Sequence, residues 1–396
     1  MLPPLHFLNL MIALTAATLF TPMERIEQPV LLIEDGVIRT LGARENSQIP
    51  PNCRVVDLKD AILAPGLIDI HIHGGAGHDI MEANPEALPA LERLLVRHGV
   101  SSYFPTTVTA PLEATLAALE RLATAVEAAQ KNHAGEARAI PLGIHLEGPF
   151  ISHIRRGVHP PENLLPPTVA TFERFWHAAR GHIRIMTIAP ELPGAPEVIA
   201  EAARRGVCVS VGHSNADLNS TRAGVAAGAR HATHTFNAMR PLSHRDPGIL
   251  AEVLTDTRVS ADIIADGVHV DPAVVNLFLK TKGADAAVLI TDATAATGMP
   301  AGRYRLGSCE VEVKDGKSLI GGKLAGSILT MDCAVRNVMQ YAQWDLQKAL
   351  RLATVNPARV AGLNSHGIVK EGAPADLVVL SPGGEVRKTI VRGVGI

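Results

Sequence analysis

Four histidines and two carboxylates of this 396-residue sequence stand at the ends of short apolar runs, where buried strands terminate and side chains become available for chemistry. His71 and His73 are two residues apart in Asp69-Ile-His-Ile-His-Gly-Gly75, so on a strand they share a face and form a chelating pair. Glu147 closes the run Ile140-Pro-Leu-Gly-Ile-His-Leu-Glu and is followed by the break Gly148-Pro149. A carboxylate at the end of a buried strand is costly unless a cation meets it. A metal ion is the simplest such cation; a turn cap or a pair with Arg155 or Arg156 is the plainer alternative. His213 in Val209-Ser-Val-Gly-His-Ser, His234 in Ala232-Thr-His-Thr-Phe-Asn and Asp292 in Leu289-Ile-Thr-Asp-Ala complete the set. A lone His-x-His arises often by chance, whereas all six residues at the same ends of five strands do not. Imidazole and carboxylate suit Zn, Fe, Mn or Co, and a site with an open position lowers the pKa of bound water to about 7, giving a metal-bound hydroxide as nucleophile. A nearby carboxylate must then collect a proton and hand it on. Asp292 is the candidate general base and then acid, with a helix N-cap before residue 293 as its bland alternative.

These residues need a scaffold that brings strand ends together. Apolar segments recur at 67–72, 102–106, 142–146, 183–188, 207–211, 232–235, 259–264 and 287–290, separated by Ala/Leu/Glu-rich stretches such as 86–97 and 111–130. Strands alternating with helices predict an α/β fold with a TIM-like (β/α)8 barrel over 61–363, whose C-terminal strand ends converge on one mouth. A doubly wound sheet is disfavoured because no GxGxxG follows the first of these strands. The two ends of the chain read differently. Residues 12–21 form one expected strand, 29–33 and 37–41 a hairpin across Glu34-Asp-Gly36, and 376–380 and 386–391 two further strands. They are expected to form a small β-sandwich domain from both termini, 11–60 plus 364–396. Residues 303–320, with Asp315-Gly316, alternate like a hairpin inserted after the eighth strand, placed beside the small domain or over the mouth. Helices are expected at 331–341 and 345–353, with Asn356-Pro357 opening a last one. Residues 1–10 are assigned no element.

Composition removes several function classes. Net charge is −2 without a Lys/Arg cluster, which argues against nucleic acid. The apolar stretch 1–20 has no leading Lys or Arg and is broken by His6, Asn9, Thr15 and Thr18, so neither a signal peptide nor a membrane span is expected. Cys53, Cys208, Cys309 and Cys333 are scattered with no CxxC pair, which fits a reducing cytoplasm better than a disulfide framework.

The motifs His71-x-His-Gly-Gly, His145-Leu-Glu-Gly-Pro-Phe150, Val211-Gly-His-Ser, Thr233-His-Thr-Phe-Asn-Ala-Met239, Arg245-Asp-Pro-Gly, Ala265-Asp-Gly-Val-His-Val-Asp271, Thr291-Asp-Ala-Thr and Leu324-Ala-Gly-Ser-Ile-Leu-Thr-Met331 run in order through most of the chain. Together they resemble the N-acetylglucosamine-6-phosphate deacetylase family of the amidohydrolase superfamily. The resemblance implies that Glu147, His213 and His234 are the principal metal ligands and Asp292 the catalytic acid/base. It also implies that His159 polarises the acetyl carbonyl, that Asn237 and Ala238 line the sugar site, and that Arg245 and His269 hold the sugar phosphate, one of them across a homodimer interface. Because His71 and His73 are kept, a second metal bridged by Glu147 is permitted, giving one or two divalent ions per chain. His145 shares a face with Glu147 but is not a ligand in the family. The implied reaction is hydrolysis of N-acetylglucosamine 6-phosphate to glucosamine 6-phosphate and acetate. The alternatives are an N-acetylgalactosamine 6-phosphate deacetylase or another amidohydrolase, and more distantly a non-catalytic sugar-phosphate sensor. The absence of a carbamylatable Lys in place of Glu147 speaks against cyclic amidases.

Overall fold

The structure is a computed structural model and describes residues 11–131 and 135–396; the unassigned stretch 1–10 lies outside them. The barrel strands are Leu67–Ile72, Val100–Thr107, Ile144–Glu147, Ile183–Ile188, Cys208–Val211, His231–Ala232, Ala261–Ile264 and Ala287–Ile290. The first six pair in parallel in sequence order, as do the last two. The remaining seams close through a few backbone bonds rather than a regular ladder, Ser260 N–H to the Arg230 carbonyl (3.0 Å) and His73 N–H to the Ala293 carbonyl (2.8 Å) among them. Thr235 N–H donates to the Asp262 carbonyl (2.9 Å) between sixth and seventh strands, and Asp292 N–H to the His71 carbonyl (2.9 Å) between eighth and first.

Both faces of these strands are covered, which is why they read as continuous apolar runs rather than as alternating ones. Helix Ala87–Arg97 shows the other half of the pattern: Leu91, Leu94 and Leu95 turn inward at i, i+3 and i+4. Phe104, Phe150, Phe172 and Phe175 are wholly buried in the same core. The sixth strand is shorter than 232–235 because the chain leaves extended geometry at once: His234, Phe236 and Ala238 have φ of 33°, 81° and 51°.

The terminal segments build a small β-sandwich domain. One sheet holds Ile12–Thr15, Pro29–Glu34, Val37–Ala43 and Arg54–Asp57; the other holds Thr18–Phe20, Arg25–Glu27, Ile62–Pro65, Leu377–Leu380 and Val386–Ile390. Leu14, Leu31, Leu63, Leu377 and Ile390 pack between them. The single strand expected at 12–21 is thus two, one in each sheet. The chain crosses over where Ala17 and Thr18 N–H both turn to the Ala61 carbonyl.

The insertion is larger than a hairpin. Gly302–Leu306, Cys309–Lys314, Lys317–Ile320 and Lys323–Leu324 form a four-stranded antiparallel meander, and its Leu306 and Val311, with Ala325 just after it, share a small core with Val108 of the segment after the second barrel strand. It lies at the barrel mouth. Among the described residues no helix is long and apolar enough to cross a membrane, and the four cysteines are free.

Candidate metal centre and active site

The strand ends deliver their polar residues to one place. His71 and His73 project from the first strand with their Nε2 atoms 3.1 Å apart. Glu147, at the end of the third, lies between them and the histidines opposite: its Oε1 is 3.4 Å from His71 Nε2 and 3.2 Å from Nε2 of both His213 and His234. Its Oε2 is 3.3 Å from His73 Nε2 and 3.5 Å from His159 Nε2. Asp292 Oδ1 stands 3.2 Å from His73 Nε2 and 3.6 Å from His71 Nε2. Two metal-competent groups result, Glu147/His213/His234 and His71/His73/Asp292, all six residues buried.

The backbone behind three of the imidazoles fixes which nitrogen faces the centre, whereas His71 Nδ1 is buried without a hydrogen-bond partner. His73 Nδ1–H donates to the Thr106 carbonyl (3.1 Å), His213 Nδ1–H to that of Arg155 (3.0 Å) and His234 Nδ1–H to that of Asn237 (3.1 Å). Such bonds set the tautomer that offers Nε2 as a ligand. His159 is wired the opposite way. Its Nδ1 accepts the Thr109 N–H (3.3 Å) and stands 2.8 Å from the Thr109 hydroxyl, so its Nε2 carries the proton and is a donor rather than a ligand. His145 has no free nitrogen: Nδ1 meets the Ile70 carbonyl at 2.9 Å and Nε2 the Thr187 hydroxyl at 2.8 Å.

The backbone at three of these positions is unusual. His213, His234 and Asp292 have φ of 45°, 33° and 50°, a region costly for side chains other than glycine and characteristic of functional sites. No helix begins at Asp292, which disposes of the N-cap alternative. Gly148, after Glu147, has φ 71°, and a Cβ there would come within 2.2 Å of Thr109 Oγ1, so only glycine lets the third strand turn beside His159. Asp69, fully buried, accepts the Thr291 hydroxyl at 2.6 Å and joins the first and eighth strands just below His71 and Asp292. Burial pushes its carboxyl up to about 6.

Burial opposes charge on Glu147, yet His71 and the ring nitrogens of His159, His213 and His234 around it hold its carboxyl well below the usual range. Burial also opposes charge on Asp292, but His73, His71 and His234 bring its carboxyl to about 2. The two carboxylates in turn overcome burial at His73, raised well above its ordinary value, and at His234, raised to about 9. At His213 burial wins and the imidazole falls to about 4; the protons that His73 and His234 draw against burial mark where the centre calls for positive charge. Converging Nε2 lone pairs and carboxylate oxygens fit a divalent ion with an open coordination position.

A cavity of about 190 Å³ opens onto the centre, lined by His73, Glu147, His159, His213, His234 and Asp292 together with Asn237, Ala238 and His269. Asn237 Nδ2 is buried without a hydrogen-bond partner, a donor left over for a ligand. His269 is oriented by Asp266, whose Oδ2 accepts Nδ1–H at 2.7 Å. Arg245 is not brought in: it sits on the exposed segment 241–246 and lines no part of the cavity. The ion pair of Asp246 is made with Arg240, not Arg245. Sequence reasoning passed over Thr109, which sets the His159 tautomer, and the insertion residues Leu306, Leu324 and Gly326 that line the cavity. The polar Thr106, Thr107 and Thr109 at the second strand end were the available signal for the former.

Fold and donor set define the class: a barrel hydrolase of the amidohydrolase type, built for a divalent metal. The chain belongs to the amidohydrolase family, whose sequence profile matches residues 62–395. It is 38% identical over 383 residues to an N-acetylgalactosamine-6-phosphate deacetylase of Escherichia coli O157:H7, covering 96% of this chain and 98% of the relative. It is 40% identical over 353 residues to an N-acetylglucosamine-6-phosphate deacetylase of Bos taurus, covering 85% and 84%. The structure of a Mycobacterium smegmatis N-acetyl-D-glucosamine-6-phosphate deacetylase mutant in complex with N-acetyl-D-glucosamine-6-phosphate superposes with a TM-score of 0.89 at 36% identity, covering 97% of this chain and 98% of that one.

Proposed function

We propose that the protein hydrolyses the acetamide of N-acetylglucosamine 6-phosphate, releasing acetate and glucosamine 6-phosphate. The observation that carries this reading is the opposed wiring of the imidazoles: His73, His213 and His234 offer lone pairs while His159 offers a proton, on one cavity with Asp292. An amide needs all three services, because its carbonyl is a weak electrophile and its amine a poor leaving group. A divalent ion held by Glu147, His213 and His234 would supply Lewis-acid polarisation and an activated water near neutral pH. His159 Nε2–H donates to the carbonyl oxygen as negative charge builds on it. Asp292, ionised at neutral pH, takes the proton of the attacking water and returns it to the departing amine nitrogen. Asn237 Nδ2 and the Ala238 segment hold the sugar, and His269 its phosphate. Arg245 acts from outside its own cavity, on the phosphate bound by the partner chain of a homodimer, where a guanidinium gives charge-assisted recognition. The chain works in the cytoplasm, as its free cysteines favour. Its catalytic unit is the barrel within 61–363, and the β-unit of 11–60 and 364–396 takes in the strand Ile62–Pro65 as well.

The E. coli relative, covering nearly the whole of both chains, favours a second reading with N-acetylgalactosamine 6-phosphate as substrate. Acetate release from the two epimers, measured side by side with metal-loaded protein, separates them. Turnover of the glucosamine epimer at higher kcat/KM is expected, preference for the other epimer selects the second reading, and turnover of neither sinks both.

The ion is Zn, Fe, Mn or Co, one or two per chain. If the first-strand pair binds a second ion, His71→Ala with His73→Ala lowers metal content from about two to about one per chain, because the Glu147 group stays complete. Unchanged stoichiometry by elemental analysis would mean that a single ion binds.

A further inference from the structure

The cavity has two chemically different walls. Asn237 and His269, from the segments after the sixth and seventh strands, make one of them polar. The other is apolar: Val108 after the second strand, Val158 after the third, and Leu306, Leu324 and Ala325 from the inserted meander. Val108, Leu306 and Ala325 are at most 5% exposed and share a core with Val311, against which Val158 packs, so this wall is a close-packed surface. It is also anchored, since the buried Asp79 accepts the Gly307 N–H at 2.8 Å and ties the meander to the segment after the first strand. Both valines are neighbours of the carbonyl-polarising group. Val158 precedes His159, and Val108 precedes Thr109, the residue that fixes the His159 ring.

Building on the deacetylase reading, we propose that the inserted meander supplies an acyl pocket, with Leu306 as its principal wall, that restricts the cleaved amide to a short acyl group. An amide carbonyl held at His159 carries two substituents, the amine nitrogen with its sugar and the acyl chain. The hydroxyl-rich sugar phosphate requires hydrogen-bonding partners and goes to the side of Asn237 and His269. The acyl methyl has no polar atom and goes against Val108, Val158 and Leu306. Each added methylene must then displace a packed side chain, and a methylene misfit in an apolar pocket discriminates by about tenfold or more.

The test compares kcat/KM for the N-acetyl and N-butyryl forms of whichever hexosamine 6-phosphate epimer the wild-type protein turns over. Two extra methylenes predict a wild-type preference for acetyl of about 100-fold. Leu306→Ala is expected to reduce that preference about tenfold or more. The ratio is taken within one preparation, so loss of folded protein cancels. Leu324→Ala, at a side chain already 36% exposed, is a second variant whose folding is not at stake. A tenfold or greater shift in either variant supports the acyl pocket, and a smaller shift in both overturns it. Wild-type protein that releases acetate from neither epimer removes the deacetylase reading and the acyl pocket with it.

Discussion

Asp292→Asn is expected to keep at least one metal ion per chain while losing about 10²- to 10⁴-fold in kcat, the range that a positioned proton carrier contributes. The substitution is nearly isosteric and leaves the backbone bond from Asp292 N–H to the His71 carbonyl intact. Glu147, His213 and His234 are untouched, so their ion remains. What goes is basicity. The native carboxyl is lowered to about 2 by His73, His71 and His234 against its burial, and so stands among them as a carboxylate. An amide in its place can neither take a proton from water nor return one to the amine. Acetate release under saturating substrate, with metal content measured on the same sample, checks the prediction. Turnover close to wild type would assign the proton transfer to another group.

Glu147→Ala has a different signature: metal and activity are both expected to disappear, because its carboxylate reaches His71 and His73 of the second group as well as His213 and His234 of its own. The Glu147 carboxylate is within 3.5 Å of Nε2 of five imidazoles, those of His71, His73, His159, His213 and His234, and it is the anionic member of its ligand group. Without it the histidines have lost the charge that makes a divalent ion welcome in a buried site. A readout independent of catalysis is available. Metal that binds only the folded state raises its stability, by about 2.7 kcal/mol at a hundredfold excess over Kd. The wild-type protein should therefore melt at higher temperature when metal is added, and the variant should not. A variant that retained one ion per chain and a metal-dependent melting temperature would show that the centre is organised around other ligands.

Much of this centre was legible beforehand, because the information is local. Period-two spacing puts His71 and His73 on one face, and apolar runs ending in His, Glu or Asp mark strand ends wherever the strands come to lie. The eight barrel strands follow from the same pattern, since strands buried on both faces leave a continuous apolar run. The exceptions are instructive. The sixth strand stops at Ala232 because His234 adopts a positive φ, imposed where Asp262 accepts its N–H and no apolar pattern records it. The 12–21 segment divides at Ala16-Ala17 because a distant carbonyl, that of Ala61, captures the crossing. Arg245 has the residue type for a phosphate ligand, yet the segment that carries it stays outside the cavity of its own chain.

The sequence by itself determined which residues could do chemistry, the order of the barrel strands that carry them, and the side of the barrel on which they end. Tertiary structure alone decided which way the rings of His73, His159 and His213 face. The carbonyls that fix His73 and His213 belong to Thr106 and Arg155, 33 and 58 residues away, and the Thr109 N–H that reverses His159 is 50 residues away. Hydrogen bonds of that separation leave no periodicity in the chain, so ligand and proton donor look alike until the strands are assembled. The apolar wall has the same origin: Val108 and Leu306 become one surface only when the meander folds back over the mouth.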